Sequence, residues 1–476
     1  MRVVLINSPY FDIYGSLNVG RNHTMSLGLG YIAAFLRQAG HDVLSLDPEP
    51  LNMSLNEIRH YLLEKRPDMV GISAATANFM GAVKLAGVTR DVLPHIPIVV
   101  GGVHASALPE LTLNQHPEFD IVVIGEGEET MLKLCCAIEK KESLDEINGL
   151  AFKRDGKIVR TNPAALIEDI DKLPFPARDL VDLNLYRPQV HLYRGRKSAT
   201  MITSRGCPAR CTYCATQVTM GNRFRMHSAE YVISEIEHLV DNYGIEDIIF
   251  VDDTFTINKE RAKKICNMLI EKKINIGWFC FVRVNDASEE LFSLMKKAGC
   301  FSMFFGVESA NDQILKNIKK GATVSQAENA LRIANKLRFK TLAGFMFGNP
   351  GETTETIEQT IKFSLKLNPI IGSFNVMVPF PGTEEYQRYI KKHPGEIMNW
   401  ASFIPKGITP LIETEELSKK VLQRYLSMAY LKFYLRPSQI WRILSNISSF
   451  TELWVYIRGA FGLFRRVFEW KTSKNI

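Results

Sequence analysis

Residues 203–217, TSRGCPARCTYCATQ, place Cys207, Cys211 and Cys214 within eight positions on a loop that also holds a glycine and a proline. Thiolates are soft ligands and nucleophiles, so this trio could bind metal, form a redox pair with one spare, or be plain buried thiols. A redox pair needs Cys-x-x-Cys in a thioredoxin-like βαβ setting and leaves Cys207 without a role. Structural zinc wants four closed ligands, and the nearest histidine, His227, lies past a separate loop. Three thiolates on one loop fit an iron-sulfur cluster with one iron left open, and an open coordination position is what a catalytic metal site needs. The other cysteines are bland: Cys135, Cys136, Cys266 and Cys300 fall in or beside helix-period segments, where a thiol behaves as a small hydrophobe.

Two further stretches carry chemistry through their backbones. GGVHAS (101–106) and GEGEE (125–129) each follow a short β-branched run, and glycines there let a large ligand approach the chain closely. Such glycines can also serve only as tight turns. Two such turns at adjacent strand ends, with His104 and Glu126 beside them, point to a ligand site.

The elements that must position these residues come in two series. Residues 1–140 alternate apolar strands (RVVLINSP, DVLSLDP, MVGISA, PIVVGG, DIVVIGEG) with amphipathic helices, the pattern of an α/β doubly wound parallel sheet of Rossmann-like type. Ligands of such sheets sit at the carboxyl ends of the strands. Residues 141–197 read as a linker with a hairpin, LAFKRDGKIVR, turning at Asp155-Gly156. From 198 to 400 six strand-helix units predict a partial (β/α)6 barrel whose chemistry gathers at the strands' C-terminal ends, and the cysteines follow its first strand. Residues 401–476 read as a helical C-terminal region.

Composition sets limits. At 476 residues and 46% hydrophobic, the chain is a globular protein of two or three domains. No run approaches the ~18 apolar residues of a membrane span, and the N-terminus lacks a signal peptide's apolar core, so a cytoplasmic protein is expected. The net charge is +7, but seven basic residues against two acidic ones lie from Arg436 onward, so a nucleic-acid groove through the body is not indicated.

Cys207-x3-Cys211-x2-Cys214, with Tyr213 before the last cysteine, at the first strand of a six-unit barrel resembles the radical S-adenosylmethionine (radical SAM) superfamily. The resemblance implies that the three cysteines hold a 4Fe-4S cluster and are catalytic, with S-adenosyl-L-methionine chelating the fourth iron and cleaved by one-electron reduction. It assigns Asp252 and Asp253 in FVDDTF to the methionyl end of the cofactor, where a helix-capping role is the alternative. It assigns Glu308 and Ser309 in GVES to the ribose, Gly344 and Gly348 in GFMFGNPGE to the adenine side, and Arg283 to a carboxylate in the barrel. Strand alternation then turns Cys280 outward if Arg283 faces inward. The domain order resembles the cobalamin-dependent class of that family. This implies a cobalamin-binding first domain, with Ser73, Thr76, Gly101, Gly102 and His104 near the nucleotide tail and corrin edge, and Gly125, Glu126, Gly127 and Glu128 near the face toward the barrel. No histidine has Asp two residues before it, so the Asp-x-His-x-x-Gly ligand motif is absent, and the loop 7–14 is a candidate cover for the lower face of the cobalt.

The resemblance implies methylation of an unactivated carbon by way of methylcobalamin, with an electron donor such as flavodoxin or ferredoxin. Its rivals are oxidative cyclisation or rearrangement of the Mg-protoporphyrin cyclase type and, from another class, an iron-sulfur sensor or binding module. The tail 430–470 mixes Trp, Phe and Arg at helical spacing. It reads either as a helical cap on the barrel or as an interfacial helix in peripheral contact with a membrane, which would suit a lipid-like rather than a polar small-molecule substrate.

Overall fold

The computed structural model describes residues 1–10, 24–186, 188–189, 192, 194, 196–396, 398–404, 411–445, 447, 453 and 457. Its first sheet is built from β1 (Arg2–Asn7), β2 (Asp42–Leu46), β3 (Met69–Ser73), β4 (Ile98–Gly101) and β5 (Ile121–Val123), all parallel, in the order β2-β1-β3-β4-β5. The apolar runs alternate faces along each strand. Val4, Ile6, Val70, Ile72, Ile98 and Val100 pack on one side with Ile58, Leu62, Phe79 and Leu85 of two helices. Val3, Leu5, Met69 and Val99 pack on the other with Leu29, Leu36, Met131 and Leu134 of two more. The strand order reverses between β1 and β3, and a crevice opens there beyond the carboxyl ends.

The hairpin expected in the linker instead belongs to this sheet. β6 (Leu150–Arg154) runs antiparallel to β5, and β7 (Lys157–Arg160) closes the edge. Leu150, Ala151 and Phe152 are buried, so their apolar run covers an otherwise open ladder on β5. The segment that follows is tied down too: Arg178 is 1% exposed, pairs with the buried Glu235 at 2.7 Å and donates to the Thr200 carbonyl.

The second sheet contains β8 (Ser198–Met201) and, after a small antiparallel ribbon of β9 (Ser204–Arg205) and β10 (Arg225–Met226), the strands β11 (Asp247–Phe250), β12 (Gly277–Val282), β13 (Cys300–Glu308), β14 (Lys340–Phe347) and β15 (Ile371–Val376). Its parallel order is β8-β11-β12-β13-β14-β15, with β8 and β15 at the two edges, a partial barrel. Helices over 229–243, 259–271, 289–297, 324–336 and 354–367 cover its outer face, burying Trp278, Cys280, Val282, Met303 and Phe305. The inner face is aromatic, with Phe279, Phe281, Phe301 and Phe304 clustered.

The helix Lys419–Tyr434 packs on β15, with Phe433 buried and the hydroxyls of Tyr430 and Tyr434 donating to the carbonyls of Phe374 and Gly372. For these residues the cap reading holds. In the next helix, Pro437–Leu444, Ile440, Trp441 and Leu444 are exposed, Trp441 by 74%. Most of the tail beyond Leu444, like positions 11–14 of the proposed cobalt-covering loop, lies outside the described residues. Among the described residues, no helix is long and apolar enough to cross a membrane.

Candidate functional site

Two cavities flank the segment 205–220 that carries the cysteines. The first, of about 220 Å³, lies at the carboxyl ends of β1, β3, β4 and β5 and reaches down to Leu5, Gly71, Ile72 and Val99 in the sheet. Ser73, Gly101, Gly102, Gly125, Glu126, Gly127 and Glu128 line it, together with Tyr31 and Ile32 of the first helix. Its wall is mostly backbone and apolar side chains. At Gly102 the backbone has φ +93, and an added Cβ would stand 2.5 Å from the Ala74 carbonyl oxygen, so the turn admits only glycine without strain. Such a rim lets a broad, flat group approach the main chain, which fits a corrin with its tail in the cleft.

Thr76 and His104, expected at this site, are not among its lining residues. His104 is 1% exposed, stacks on Phe79 at 3.9 Å, meets the edge of Trp400 and bonds the Thr76 hydroxyl at 3.3 Å. It lies on the second residue of a short helix that turns it back under the strands, where burial lowers its pKa to about 3 and keeps it neutral. Glu126 and Glu128 do border the cavity, but their carboxylates are committed. Arg205 donates to Glu126 at 3.0 Å and to Glu128 at 2.5 Å, and Arg225 donates to Glu126 at 2.7 Å, all with side chains no more than 4% exposed.

The second cavity, of about 190 Å³, opens at the mouth of the barrel and is lined by Cys207, Cys211, Cys214 and Tyr213 together with Asp253, Arg283 and Glu308. The three thiols are free and half-buried. Among the described residues no group of three or more His, Cys, Asp or Glu is arranged to hold a single metal ion. A cubane cluster does not ask for that, because each thiolate takes a different iron and the sulfurs stand farther apart than ligands of one ion. Three thiols on one cavity wall, with no further Cys or His among the described lining residues, fit the cluster with its open corner. Burial raises the thiols of Cys207 and Cys214, a cost that iron ligation offsets.

Glu308 reaches this cavity because β13 carries a register shift between Gly306 and Glu308, and because Glu308 takes φ +66, a left-handed backbone that costs a non-glycine residue about 1 kcal/mol or more. Lys320 holds its carboxylate at 2.7 Å and the Tyr213 hydroxyl donates to it at 3.1 Å, which links the strand end to the cysteine loop. Arg283 lines the same wall, while Cys280 is buried on the helix side, as alternation requires.

The remaining expectations separate. Asp253 faces the cavity and accepts from Thr216 at 2.9 Å. Asp252 is 1% exposed and points behind it, where it accepts from the amide and hydroxyl of Thr203 and the hydroxyl of Ser204, near Arg261. It ties β11 to the turn before the cysteines because neighbouring residues on an extended chain face opposite ways. Ser309 is fully buried against Thr360 and accepts from the Asn311 amide. Gly344 faces the ring of Phe304, which a Cβ would meet at 2.8 Å, and Gly348 packs under Leu422 and Ile412 of the C-terminal region. Residues not anticipated are Lys320, Thr216 and Gln217 at the second cavity and Arg205, Thr219 and Met220 at the first. Arg205 lies inside the quoted cysteine stretch and was legible as a charge beside an apolar run. Lys320 had no local signal.

The chain matches two family models, the Radical SAM superfamily over residues 201–364 and the B12 binding domain over residues 17–134. It is 36% identical over 411 residues to an uncharacterized methyltransferase of Pyrococcus horikoshii, covering 86% of this chain and 88% of the relative. It is 27% identical over 445 residues, 92% of this chain and 78% of the relative, to the anaerobic magnesium-protoporphyrin IX monomethyl ester cyclase of Rubrivivax gelatinosus. Its fold is shared with the radical S-adenosylmethionine methyltransferase TsrM of Kitasatospora setae, solved with tryptophan and a SAM analogue, at TM-score 0.72 and 20% identity over 92% of this chain and 90% of that one. It is shared as well with the cobalamin-dependent enzyme OxsB, solved with aqua-cobalamin and S-adenosylmethionine, at TM-score 0.74 and 19% identity over 98% of this chain and 71% of that one.

Proposed function

Because the chain belongs to the radical SAM superfamily and carries a B12 binding domain, with a 4Fe-4S cluster, S-adenosylmethionine and cobalamin as its cofactors, we propose that it methylates an unactivated carbon of a small or lipid-like molecule. One observation carries this reading. The helix Thr216–Met220, directly after the cysteines, turns Thr216 and Gln217 toward the barrel cavity and Thr219 and Met220 toward the N-terminal one, so a single turn of helix borders both cavities and sets them side by side.

When bound, the cluster with S-adenosylmethionine supplies a hydrogen-abstracting radical and cobalamin supplies the methyl group. Cys207, Cys211 and Cys214 hold the cluster. Glu308, braced by Lys320 and Tyr213, accepts hydroxyl donors, Arg283 balances a carboxylate, and Asp253 accepts from an ammonium. Phe281 and Phe304 wall off water. Ser73, Gly101, Gly102, Gly125 and Gly127 provide the corrin-side surface. The proposal includes a one-electron donor of flavodoxin or ferredoxin type. It also includes shallow membrane contact through Ile440, Trp441 and Leu444, supported by their exposure and by the basic tail. Replacing Trp441 by Ala should lower flotation with anionic liposomes, and unchanged flotation removes that element.

The test is anaerobic reconstitution with iron, sulfide and cobalamin, then reductant, S-adenosylmethionine and candidate substrates. Product heavier by one methylene, formed with 5′-deoxyadenosine, is expected, and 5′-deoxyadenosine with no methylated product overturns the reading. Similarity to the named cyclases supports a second reading, oxidative ring formation, which product mass separates from the first.

A further inference from the structure

Arg205 and Cys207 are separated only by Gly206, whose φ is +78 and whose missing side chain lets the loop pass the Arg223 carbonyl oxygen, 2.2 Å from where a Cβ would stand. A shift of Arg205 is therefore passed to the first cluster cysteine through a turn with little room to absorb it. At its other end Arg205 grips the N-terminal domain. One guanidinium nitrogen donates to Glu126 at 3.0 Å, the other to Glu128 at 2.5 Å, and its Cζ lies 5.1 Å from the centroid of the Tyr31 ring. Arg225, on the strand paired with β9, takes the remaining oxygen of Glu126, which the Ile167 amide also reaches at 2.9 Å. Glu126, Glu128, Tyr31 and Arg205 all line the first cavity.

Stability alone is a poor reason for this arrangement. Desolvating two arginines and two glutamates consumes most of what their attraction returns, and apolar packing such as that of Trp400 on His104 would join the domains as well. A planar fork that satisfies two carboxylates at once fixes direction and separation in a way apolar contacts do not. We infer that Arg205 is a positioning residue that sets the distance and orientation of the cluster loop relative to the corrin-side cavity. The inference rests on the two cavities holding cobalamin and the cluster, as proposed above.

The test compares wild type, Arg205→Lys and Glu128→Gln. Lysine keeps the charge but is a point donor that cannot span both carboxylates, and Glu128→Gln keeps an acceptor oxygen but removes one of the two charges while leaving Glu126 paired. Each protein is reconstituted with iron, sulfide and hydroxocobalamin and reduced with dithionite, and the spin–spin interaction between cob(II)alamin and the reduced cluster is read by electron paramagnetic resonance. Unfolding midpoints are measured before loading. Both variants should retain iron, and their spin–spin interaction should be altered and broadened relative to wild type, more in Arg205→Lys than in Glu128→Gln. An interaction unchanged in both variants overturns the inference, as does a lowered unfolding midpoint with no spectral change, which would mark a purely structural role. A wild-type protein that binds neither group overturns the proposed function and this inference with it, whereas intact wild-type signals with unchanged variants overturn this inference alone.

Discussion

The two cavities are built by opposite means. The barrel cavity sets side chains that carry charge or ligate among apolar ones: three thiols, a carboxylate after β11, and Glu308 braced between Lys320 and Tyr213, with Phe281, Val282 and Phe304 beside them. The N-terminal cavity is made of backbone, with glycines at the ends of β4 and β5 and apolar residues from the sheet below. Its two carboxylates serve the domain boundary. A site that forms covalent and ionic bonds to its ligand needs particular atoms, while a site that holds a broad macrocycle needs mainly space and shape. Damage to the two should therefore differ in kind.

The sharpest break is expected at Cys211→Ala, which should lower bound iron below about 1 per chain and abolish S-adenosylmethionine cleavage while leaving cobalamin uptake measurable by absorbance. Full retention of iron would remove the basis of the barrel site. Gly102→Val should act in the other direction. Forcing a β-branched residue to φ +93 against Ala74 costs about 2 kcal/mol or more, so cobalamin uptake should fall several-fold while iron content holds. Equal loss of both cofactors would show that the cavities are not separable. At Glu308→Gln the Lys320 ion pair is lost, and KM for S-adenosylmethionine should rise about tenfold with a smaller change in kcat.

A further effect concerns pH and bears on stability alone, and it sets the two regions apart by degree. His104 lies behind the glycine-rich wall. His227, beside the turn into the cysteine loop, bonds Asp171 at 2.9 Å while burial lowers its pKa to about 4. Both folded values lie below 6.5, so the unfolded chain binds protons that the native chain refuses. The stability their neutrality contributes is fully present above pH 6.5 and is lost progressively as pH falls from 6.5 to about 4 for His227 and to about 3 for His104. Denaturant titrations from pH 7 to 4 should show a loss on the order of a few kcal/mol, shallower in His227→Gln.

Particular residues show how far the chain could be read unaided. Strand alternation turns Cys280 toward the helices once Arg283 faces the barrel cavity, because period-two geometry is local. The same rule, applied to Asp252 and Asp253, sends them to opposite sides, whereas the family resemblance assigns both to the methionyl end of the cofactor. The backbone bonds from Thr203 decide which of them is structural. The position of His104 after two glycines at a strand end points it toward a ligand. It turns away because a helix begins at Val103 and the aromatic rings of Phe79 and Trp400 offer it an apolar pocket, with Trp400 arriving from almost 300 residues downstream.

The sequence by itself determined the thiol spacing, the alternation of strands and helices and the glycines at the strand ends, since each depends on bonding and sterics within a few residues. Only the tertiary structure decided that Lys320 faces Glu308, that the hairpin closes the first sheet, and that Glu126 and Glu128 are spent on Arg205 and Arg225. Those outcomes depend on burying charge and open sheet edges between segments distant along the chain. Their energy comes from excluding water, which no local pattern records.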